Sequence, residues 1–333
     1  MKRAVAIVLF LSILFAASPK EAAGGHAWAV LDGDTGRLLD GYNENVRLPI
    51  ASLTKMWTAF TFIESGAPKG EVIISPEAAS AEGSSIYLEQ GSTVESDTLL
   101  YGLMLRSGND AAYALAEYAG GSVDGFVDLM NEKANLYGLD NTTFTNPSGL
   151  HDDEHLSTAY ETGLMLYYAM QNEQFKKIAS TENFVQRNED GIRSYKNKHR
   201  LIHTNKYAVA GKTGFTKIAG RTLATFFEKD GKKLIIVTLN DGNDWNTHTE
   251  LADQKFKEYK LQTVAKKGRY TILPGIEGVL KKPLKLLLTD EERERVSHVV
   301  YVPRGKDKES IGTWIVSLDH EPLLSAEIII HQQ

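Results

Sequence analysis

The chain has 333 residues, of which 42% are hydrophobic and 24% charged, and it contains no cysteine. These proportions are those of an ordinary globular protein, and the length suits one large domain with a smaller one. The lack of cysteine excludes disulfides and thiolate metal sites, and the net charge of -6 argues against nucleic acid as a partner, because phosphate binding needs a basic surface.

The first residues predict export from the cytoplasm. A basic start at Lys2 and Arg3 precedes an apolar run over residues 4–17. Such a start is typical of a secretory signal peptide, and the run is too short for a confident membrane span. We therefore predict a signal peptide over residues 1–24, and a mature protein in the cell wall or at the outer face of the cytoplasmic membrane.

Strands are predicted at both ends of the next region and helices in its middle. Residues 26–42 alternate as a hairpin, whereas residues 50–63 form a helix that is apolar nearly all round and therefore buried. The remaining predicted elements are a strand at 72–74, helices at 98–105, 110–118, 123–137 and 158–170, extended residues at 184–187, a hairpin at 219–239 and a helix at 245–259. Thr158 and Glu161 form a predicted capping box. This order predicts an antiparallel sheet built from both ends of the region, with helices packed on it.

The character of the chain changes near Leu261. Short β-rich pieces with turn signals between them follow, at residues 269–273, 284–288, 298–302, 312–318 and 323–330. Regularly spaced short strands predict a small all-β module. We therefore expect a large domain over residues 25–260 and a small β-rich domain over residues 261–333.

Three polar clusters carry the predicted chemistry. Ser52 and Lys55 are three residues apart on the buried helix, so they share one face. Because burial disfavours a charged lysine, Lys55 is a candidate base for a Ser52 nucleophile. Ser107-Gly108-Asn109 lies between two predicted helices, and Lys212-Thr213-Gly214 precedes the last hairpin. Each cluster alone is weak evidence, but the three in this order match the motif set of penicillin-binding proteins and β-lactamases.

Longer segments resemble one family. Residues 82–112, 144–159 and 211–220 are similar to the low-molecular-mass penicillin-binding proteins, the exported serine-type D-alanyl-D-alanine carboxypeptidases of peptidase family S11. The resemblance covers about residues 26–260, and the C-terminal module resembles the family's small second domain more weakly. It implies an α+β fold in three layers, with an antiparallel sheet covered by helices as in β-lactamases and transpeptidases, and a small C-terminal all-β domain.

The resemblance also implies the roles of the cluster residues. Ser52 is the expected nucleophile and forms an acyl-enzyme, while Lys55 is its expected base, neutral because it is buried and near Lys212. Ser107 is expected to pass a proton to the leaving nitrogen. The expected substrate contacts are Asn109, Lys212, Thr213, Gly214 and Phe215, with the oxyanion held by the backbone N–H groups of Ser52 and Phe215. No metal or other cofactor is expected.

The expected partners are peptidoglycan stem peptides ending in D-Ala-D-Ala, and β-lactam antibiotics, which should acylate the same serine and inhibit the enzyme. Many family members end in a basic amphipathic helix that lies on the membrane, whereas residues 324–333 predict a strand and a short stub. A peripheral association with the membrane would therefore need another contact, such as the β-module, an uncleaved signal or a partner.

Two local departures from the family concern substrate contacts. His199 stands where the family commonly has asparagine, and Ala210 where it often has aspartate.

Two functions other than a carboxypeptidase are alternatives for the same motif set. A β-lactamase of class A would favour Ser-Asp-Asn and would need a deacylating glutamate beside the serine. A non-catalytic penicillin-binding sensor would have no reason to keep Ser52, Lys55 and the other cluster residues.

Other conspicuous residues are predicted to be structural. The segment from His151 to His155 looks like a metal cluster, but its context matches a family loop. His199 and His203 could line the cleft, and an ordinary loop position is the prediction for both. The four tryptophans, at positions 28, 57, 245 and 314, are predicted to lie in the core.

Overall fold

The computed structural model of the protein describes residues 27–188, 191–304 and 309–332. The predicted signal peptide over residues 1–24 lies outside these ranges. Within them, every helix is either too short or too polar to cross a membrane.

The predicted helices are all present. The helices are α1 (Thr54–Glu64), α2 (Pro76–Ala79), α3 (Ser96–Tyr101), α4 (Asn109–Gly120), α5 (Val123–Leu136), α6 (Ala159–Met170), α7 (Glu173–Ala179), α8 (Arg200–Thr204), α9 (Asp244–Glu258) and α10 (Asp290–Glu294). Two irregular turns matter for the site. The predicted helix at 50–63 opens with a 3-10 turn, Ala51–Leu53, and the one at 98–105 ends in a π-helical turn, Gly102–Arg106.

In the described residues, the strands form two five-stranded sheets and three two-stranded pairs. They are β1 (Ala27–Asp32), β2 (Leu38–Tyr42), β3 (Glu71–Ile73), β4 (Thr93–Glu95), β5 (Asn183–Asn188), β6 (Gly191–Lys196), β7 (Ala208–Thr216), β8 (Gly220–Lys229), β9 (Lys232–Leu239), β10 (Lys260–Ala265), β11 (Gly268–Leu273), β12 (Ile276–Leu280), β13 (Leu284–Leu288), β14 (Val296–Tyr301), β15 (Glu309–Leu318) and β16 (Glu321–Gln332). The pairs are β3 with β4, β5 with β6 and β10 with β13. The main sheet has the order β2-β1-β9-β8-β7 and is antiparallel throughout. Because β1 pairs with β9, the prediction of a sheet built from both ends of the region is confirmed.

Helices cover both faces of this sheet. All of β1 is buried, and its residues alternate between two cores, as the period of a strand requires. Ala27, Ala29 and Leu31 belong to a core shared with α1, whereas Trp28 and Val30 belong to a second core that contains residues of α9. The predicted three-layer α+β fold is therefore confirmed.

Helix α1 lies inside the first core. All of its residues from Thr54 to Phe62 are buried. Trp57 is fully buried, stacks near Phe144 and donates through Nε1 to the carbonyl of Met130 at 3.0 Å. Burial of each large apolar side chain contributes about 2 kcal/mol. The Ser52 turn leads into this helix, so the packing supports the turn rigidly.

The C-terminal part is all-β apart from α10, and this prediction is confirmed. Its sheet has the order β11-β12-β16-β15-β14, beside a two-stranded pair of β10 and β13. The β-rich pieces named above correspond to strands, whereas β10 and β12 were not predicted. Arg37 joins this part to β2 by an ion pair with Glu292, at 2.6 Å. The division at residue 260 stays a prediction, because Leu287 packs into the second core of the large domain.

One local prediction was wrong, and one strand was missed. Thr158 caps α6 by accepting from the Glu161 backbone, but the Glu161 carboxylate binds Asn141 and Thr142 instead of closing a capping box. The Lys212 cluster precedes the last hairpin as predicted, but it lies within a strand, β7, that was not predicted. The strand was missed because Gly211 and Gly214 interrupt the side-chain pattern from which a strand is predicted.

Candidate active site

The first element of the site is the turn that carries Ser52. Ala51, which precedes it, has a φ of 49° in the left-handed region, where a non-glycine residue is strained. Thr54 closes the turn, because its Oγ1 donates to the Ala51 carbonyl at 2.9 Å. Ser52 is partly exposed, whereas its neighbours Ala51 and Leu53 are buried. The turn therefore points the serine hydroxyl outward from a buried support.

Lys55 lies one turn further along, with no exposed surface. Its Nζ is 3.1 Å from Ser52 Oγ, 2.7 Å from Asn109 Oδ1 and 2.5 Å from the Ser148 carbonyl oxygen. Burial and, to a lesser extent, the positive charge of Lys198 together lower the pKa of Lys55 to about 7. The ammonium can therefore give up its proton near neutral pH and act as a base toward the serine.

Ser107 enters the site from an irregular part of the helical layer. The π-helical turn Gly102–Arg106 ends at Ser107, whose φ of 64° is also left-handed. Such turns are frequent at functional sites. Asn109 then opens α4, and its side-chain amide donates to the Glu82 carbonyl at 2.5 Å. The two bent backbones bring Ser107 and Asn109 to the same side as Lys55.

Strand β7 forms the opposite wall. The Nζ of Lys212 donates to Ser107 Oγ at 2.9 Å and to the Thr213 carbonyl at 2.8 Å. Burial lowers the pKa of Lys212 well below its ordinary value, and the charges of Lys55 and Lys198 add to this effect. The sequence clusters that begin at Ser52, Ser107 and Lys212 therefore meet in one place.

Gly214 allows β7 to pass close to the serine turn. A Cβ on this residue would lie 2.3 Å from Thr222 Oγ1 and 2.9 Å from the Ser52 backbone nitrogen. Both distances are too short for any side chain. The absence of a side chain at Gly214 is thus required for the contact between the strand and the nucleophile.

The three walls enclose an open cleft of about 450 Å³. The predicted site residues Ser52, Ser107, Thr213, Gly214 and Phe215 line it. Phe215 is 65% exposed at the rim. The other predicted site residues, Lys55, Asn109 and Lys212, are at most 4% exposed and lie behind the lining.

Sequence reasoning missed the carbonyl of Ser148 as a partner of Lys55. Asn146 shapes this loop, because its Oδ1 accepts from the backbone nitrogens of Ser148 and Gly149 at 3.1 and 2.8 Å. A backbone carbonyl leaves no mark in a sequence pattern. The available signal was the similarity of residues 144–150 to the family, which gave no role to any one of them.

A charged group on the far side of the cleft was also missed. Arg221 donates to Asp244 through Nε at 3.1 Å and through Nη2 at 2.6 Å, and its guanidinium lies 5.5 Å from the Trp245 ring centroid. All three residues line the cleft, as do Ser84, Lys198 and Thr222. Trp245 packs against the second core with one side and also lines the cleft, so the core prediction holds for it only in part, whereas the other three tryptophans are buried.

The histidines lie outside the cleft lining. His199 is 1% exposed and contacts Thr225 Oγ1 at 3.0 Å, and His203 contacts the Asn197 carbonyl at 2.9 Å. The residues from His151 to His155 do not form one cluster. His155 is buried, whereas Nε2 of His151 lies 3.4 Å from Oδ1 of Asp153. Within the part of the chain that the structure describes, no group of three acidic or histidine side chains could hold a metal ion.

Comparison with known proteins assigns the family. The family model for D-alanyl-D-alanine carboxypeptidase, peptidase S11, matches residues 14–243. The chain belongs to this family. It is 31% identical over 327 residues to the D-alanyl-D-alanine carboxypeptidase DacF of Bacillus subtilis, covering 90% of this chain and 83% of that protein.

Two solved structures are similar to the chain. A D-alanyl-D-alanine carboxypeptidase from Mycobacterium tuberculosis superposes with a TM-score of 0.67 and 29% identity, over 70% of this chain and 91% of that one. Penicillin-binding protein 5 from Haemophilus influenzae superposes with a TM-score of 0.74 and 22% identity, over 93% and 97% of the two chains, and supports the fold alone. The chain is thus a serine-type D-alanyl-D-alanine carboxypeptidase of family S11.

Proposed function

We propose that this carboxypeptidase removes the terminal D-alanine from peptidoglycan stem pentapeptides through an acyl-enzyme on Ser52. The observation that carries the proposal is the hydrogen bond of 3.1 Å between Lys55 Nζ and Ser52 Oγ, inside a core that lowers the pKa of Lys55 to about 7. A lysine that is partly neutral at physiological pH can accept the serine proton.

In the acylation step, Ser52 Oγ attacks the carbonyl carbon of the penultimate D-alanine while its proton moves to Lys55 Nζ. The backbone N–H groups of Ser52 and Phe215 donate hydrogen bonds to the carbonyl oxygen as it becomes negatively charged. The C–N bond then breaks, and the leaving amine takes the proton that Lys55 accepted, relayed by Ser107, which is hydrogen-bonded to Lys212. Water next hydrolyses the ester and restores the Ser52 hydroxyl.

The substrate lies along β7 as an added strand, with Gly214 against its backbone and Asn109 near its amide. Thr213 offers a hydroxyl to the terminal carboxylate. Lys212 supplies positive charge from behind the lining, whereas the side chain of Arg221 is 42% exposed and lines the cleft itself. We therefore assign direct contact with the carboxylate to Thr213 and Arg221, and the electrostatic background to Lys212.

β-Lactams acylate the same serine and inhibit the enzyme, because their ester is hydrolysed slowly. Among the described residues, the carboxylate that lines the cleft is that of Asp244, and Arg221 holds it. This arrangement supports slow deacylation and argues against a β-lactamase.

We further propose that the signal peptide over residues 1–24 exports the enzyme, which acts outside the cytoplasm, and that its association with the membrane is peripheral.

One experiment tests the reaction. The purified protein and its Ser52→Ala variant are incubated with a D-Ala-D-Ala stem peptide and, separately, with penicillin. D-Alanine release and a long-lived penicillin adduct on Ser52 are expected from the wild type and neither from the variant. Release of D-alanine by Ser52→Ala would overturn the proposal, whereas rapid penicillin turnover without release would favour a β-lactamase. Export is tested by the mass of the N-terminus of the secreted protein.

A further inference from the structure

His155 is a buried histidine between two segments that carry site groups. It is 2% exposed, with Nε2 2.8 Å from Thr54 Oγ1 and Nδ1 3.1 Å from the Thr145 backbone nitrogen. Because the Thr145 N–H can only donate, Nδ1 accepts and the proton resides on Nε2. Burial lowers the pKa of His155 to about 4, so the ring stays neutral. It therefore donates from Nε2 to the Thr54 hydroxyl.

Thr54 connects His155 to the serine turn through its hydroxyl group. Its oxygen accepts from His155, so its own proton is free to donate to the Ala51 carbonyl at 2.9 Å. Ala51 holds the strained φ of 49° directly before Ser52. A conformation of this kind persists only where its surroundings hold it. The imidazole is thus two hydrogen bonds away from the residue that aims the nucleophile.

The other ring nitrogen holds the loop that contacts Lys55. Thr145 begins the segment that leads to Ser148, whose carbonyl accepts from Lys55 Nζ at 2.5 Å. The same loop packs closely against the serine turn at Gly149. A Cβ on this glycine would lie 1.9 Å from the Ala51 carbonyl oxygen, so the two backbones leave no room for a side chain. One buried imidazole therefore connects the segment that carries Ser52 with the segment that fixes Lys55.

We propose that His155 is a positioning residue that, through Thr54, holds the Ser52 turn and the Thr145–Ser148 loop together so that the serine and Lys55 stay within reach. The inference rests on the proposed function, in which Ser52 and Lys55 are the acylating pair. His155 does not line the cleft, so it acts on the rate of acylation rather than on substrate contacts.

The hydroxyl of Thr54 is tested with a matched pair and a control. Thr54→Val removes the hydroxyl at nearly constant shape, and Thr54→Ser retains it. Thr98→Val is the control, because Thr98 of α3 is 1% exposed, does not line the cleft and donates to Gln186 Oε1 at 2.7 Å. We expect Thr54→Val to lower both kcat and the rate of penicillin acylation by at least about tenfold with little change in KM, since only the reacting geometry is affected.

Substitution of His155 by glutamine or asparagine tests the contributions of its two ring nitrogens separately. In His155→Gln the amide nitrogen can reach the Nε2 position and donate to Thr54, whereas in His155→Asn the amide oxygen replaces Nδ1 and leaves Thr54 without its donor. We expect the glutamine variant to acylate faster than the asparagine variant. Because both act through one link, adding Thr54→Val to His155→Asn should cost little more than either change alone.

Thermal denaturation is measured for every variant, so that a loss of folding is recognised. Thr54→Ser and Thr98→Val should acylate close to the wild-type rate, even though Thr98→Val lowers stability. An equal loss in Thr98→Val and Thr54→Val, or a wild-type rate in Thr54→Val, would overturn the positioning role. The Ser52→Ala variant is assayed in parallel, because D-alanine release by that variant would instead contradict the proposed function.

Discussion

Lys55 Nζ lies 3.1 Å from Ser52 Oγ, at the end of a side chain that has no exposed surface. Burial is the main reason that the pKa of this lysine falls to about 7, and the positive charge of Lys198 is the second. The base and its activation thus come from the same packing that supports the nucleophile.

The rate of acylation should follow the neutral fraction of Lys55. Because the folded enzyme disfavours the protonated form, the rate should rise with pH through about 7 and level off above it. Lys198→Gln removes a charge that lowers this pKa, so its acidic limb should move to higher pH. Penicillin acylation measured from pH 5 to pH 9 (about two units on either side of the pKa) tests this shift. Lys69→Gln, an exposed lysine, is the control, and an unchanged limb in Lys198→Gln would contradict the effect.

Gly214→Ala should separate β7 from the serine turn. The added Cβ would meet Thr222 Oγ1 at 2.3 Å and the Ser52 nitrogen at 2.9 Å. Overpacking of this kind costs about 1–3 kcal/mol, so acylation should slow by roughly tenfold or more. Combining it with Thr222→Ala removes only the first clash, and the double variant should stay slow. Gly242→Ala, where a Cβ meets nothing within 4 Å, should acylate normally.

Arg221→Met should weaken binding of the stem peptide. A hydrogen bond to a charged group is worth about 1.5–3 kcal/mol, so KM should rise about tenfold or more while kcat changes less. Steady-state D-alanine release gives both constants. Arg269→Met is the matched control, because this arginine pairs with Glu277 at 2.7 Å in the C-terminal sheet. A KM that stays at the wild-type value would show that Arg221 does not bind the substrate carboxylate.

Arg37→Ala should loosen the junction with the C-terminal part. Arg37 binds Glu292 at 2.6 Å and the Leu287 carbonyl at 2.9 Å, with side-chain exposures of 15% for Arg37 and 12% for Glu292. Breaking a largely buried pair costs about 3 kcal/mol, whereas loss of the exposed pair between Lys260 and Asp290 costs under about 1 kcal/mol. Lys260→Ala is therefore the control in urea denaturation.

The same junction should respond to acid. Although burial opposes it, the Arg37 hydrogen bonds and charge lower the pKa of Glu292 below its ordinary value of 4.5. The stability that this pair contributes is therefore present above pH 4.5 and is lost as the pH falls through the lowered value. Unfolding free energies of Arg37→Ala should depend less on pH in that acid range than those of the wild type. Equal pH dependence would contradict this account.

Much of the fold could be predicted from the sequence, because its signals are local. The apolar residues from Met56 to Ile63 mark a buried helix, and the alternation at residues 26–42 and 219–239 marks two hairpins. Strand β7 escaped prediction, since Gly211 and Gly214 supply no side chains to alternate. The 3-10 start at Ala51 also escaped, because a left-handed φ at alanine comes from the contacts around it and not from its own preference.

By itself, the sequence determined the family, the layer order and the identity of the three clusters, since residue types and their spacing are written directly in the chain. Only the tertiary structure decided the distances between them. It placed Lys212 beside Ser107 across 105 residues, and it held Arg221 against Asp244. It also supplied the Ser148 carbonyl and the burial that lowers the pKa of Lys55, because desolvation and backbone contacts arise only when distant segments pack together.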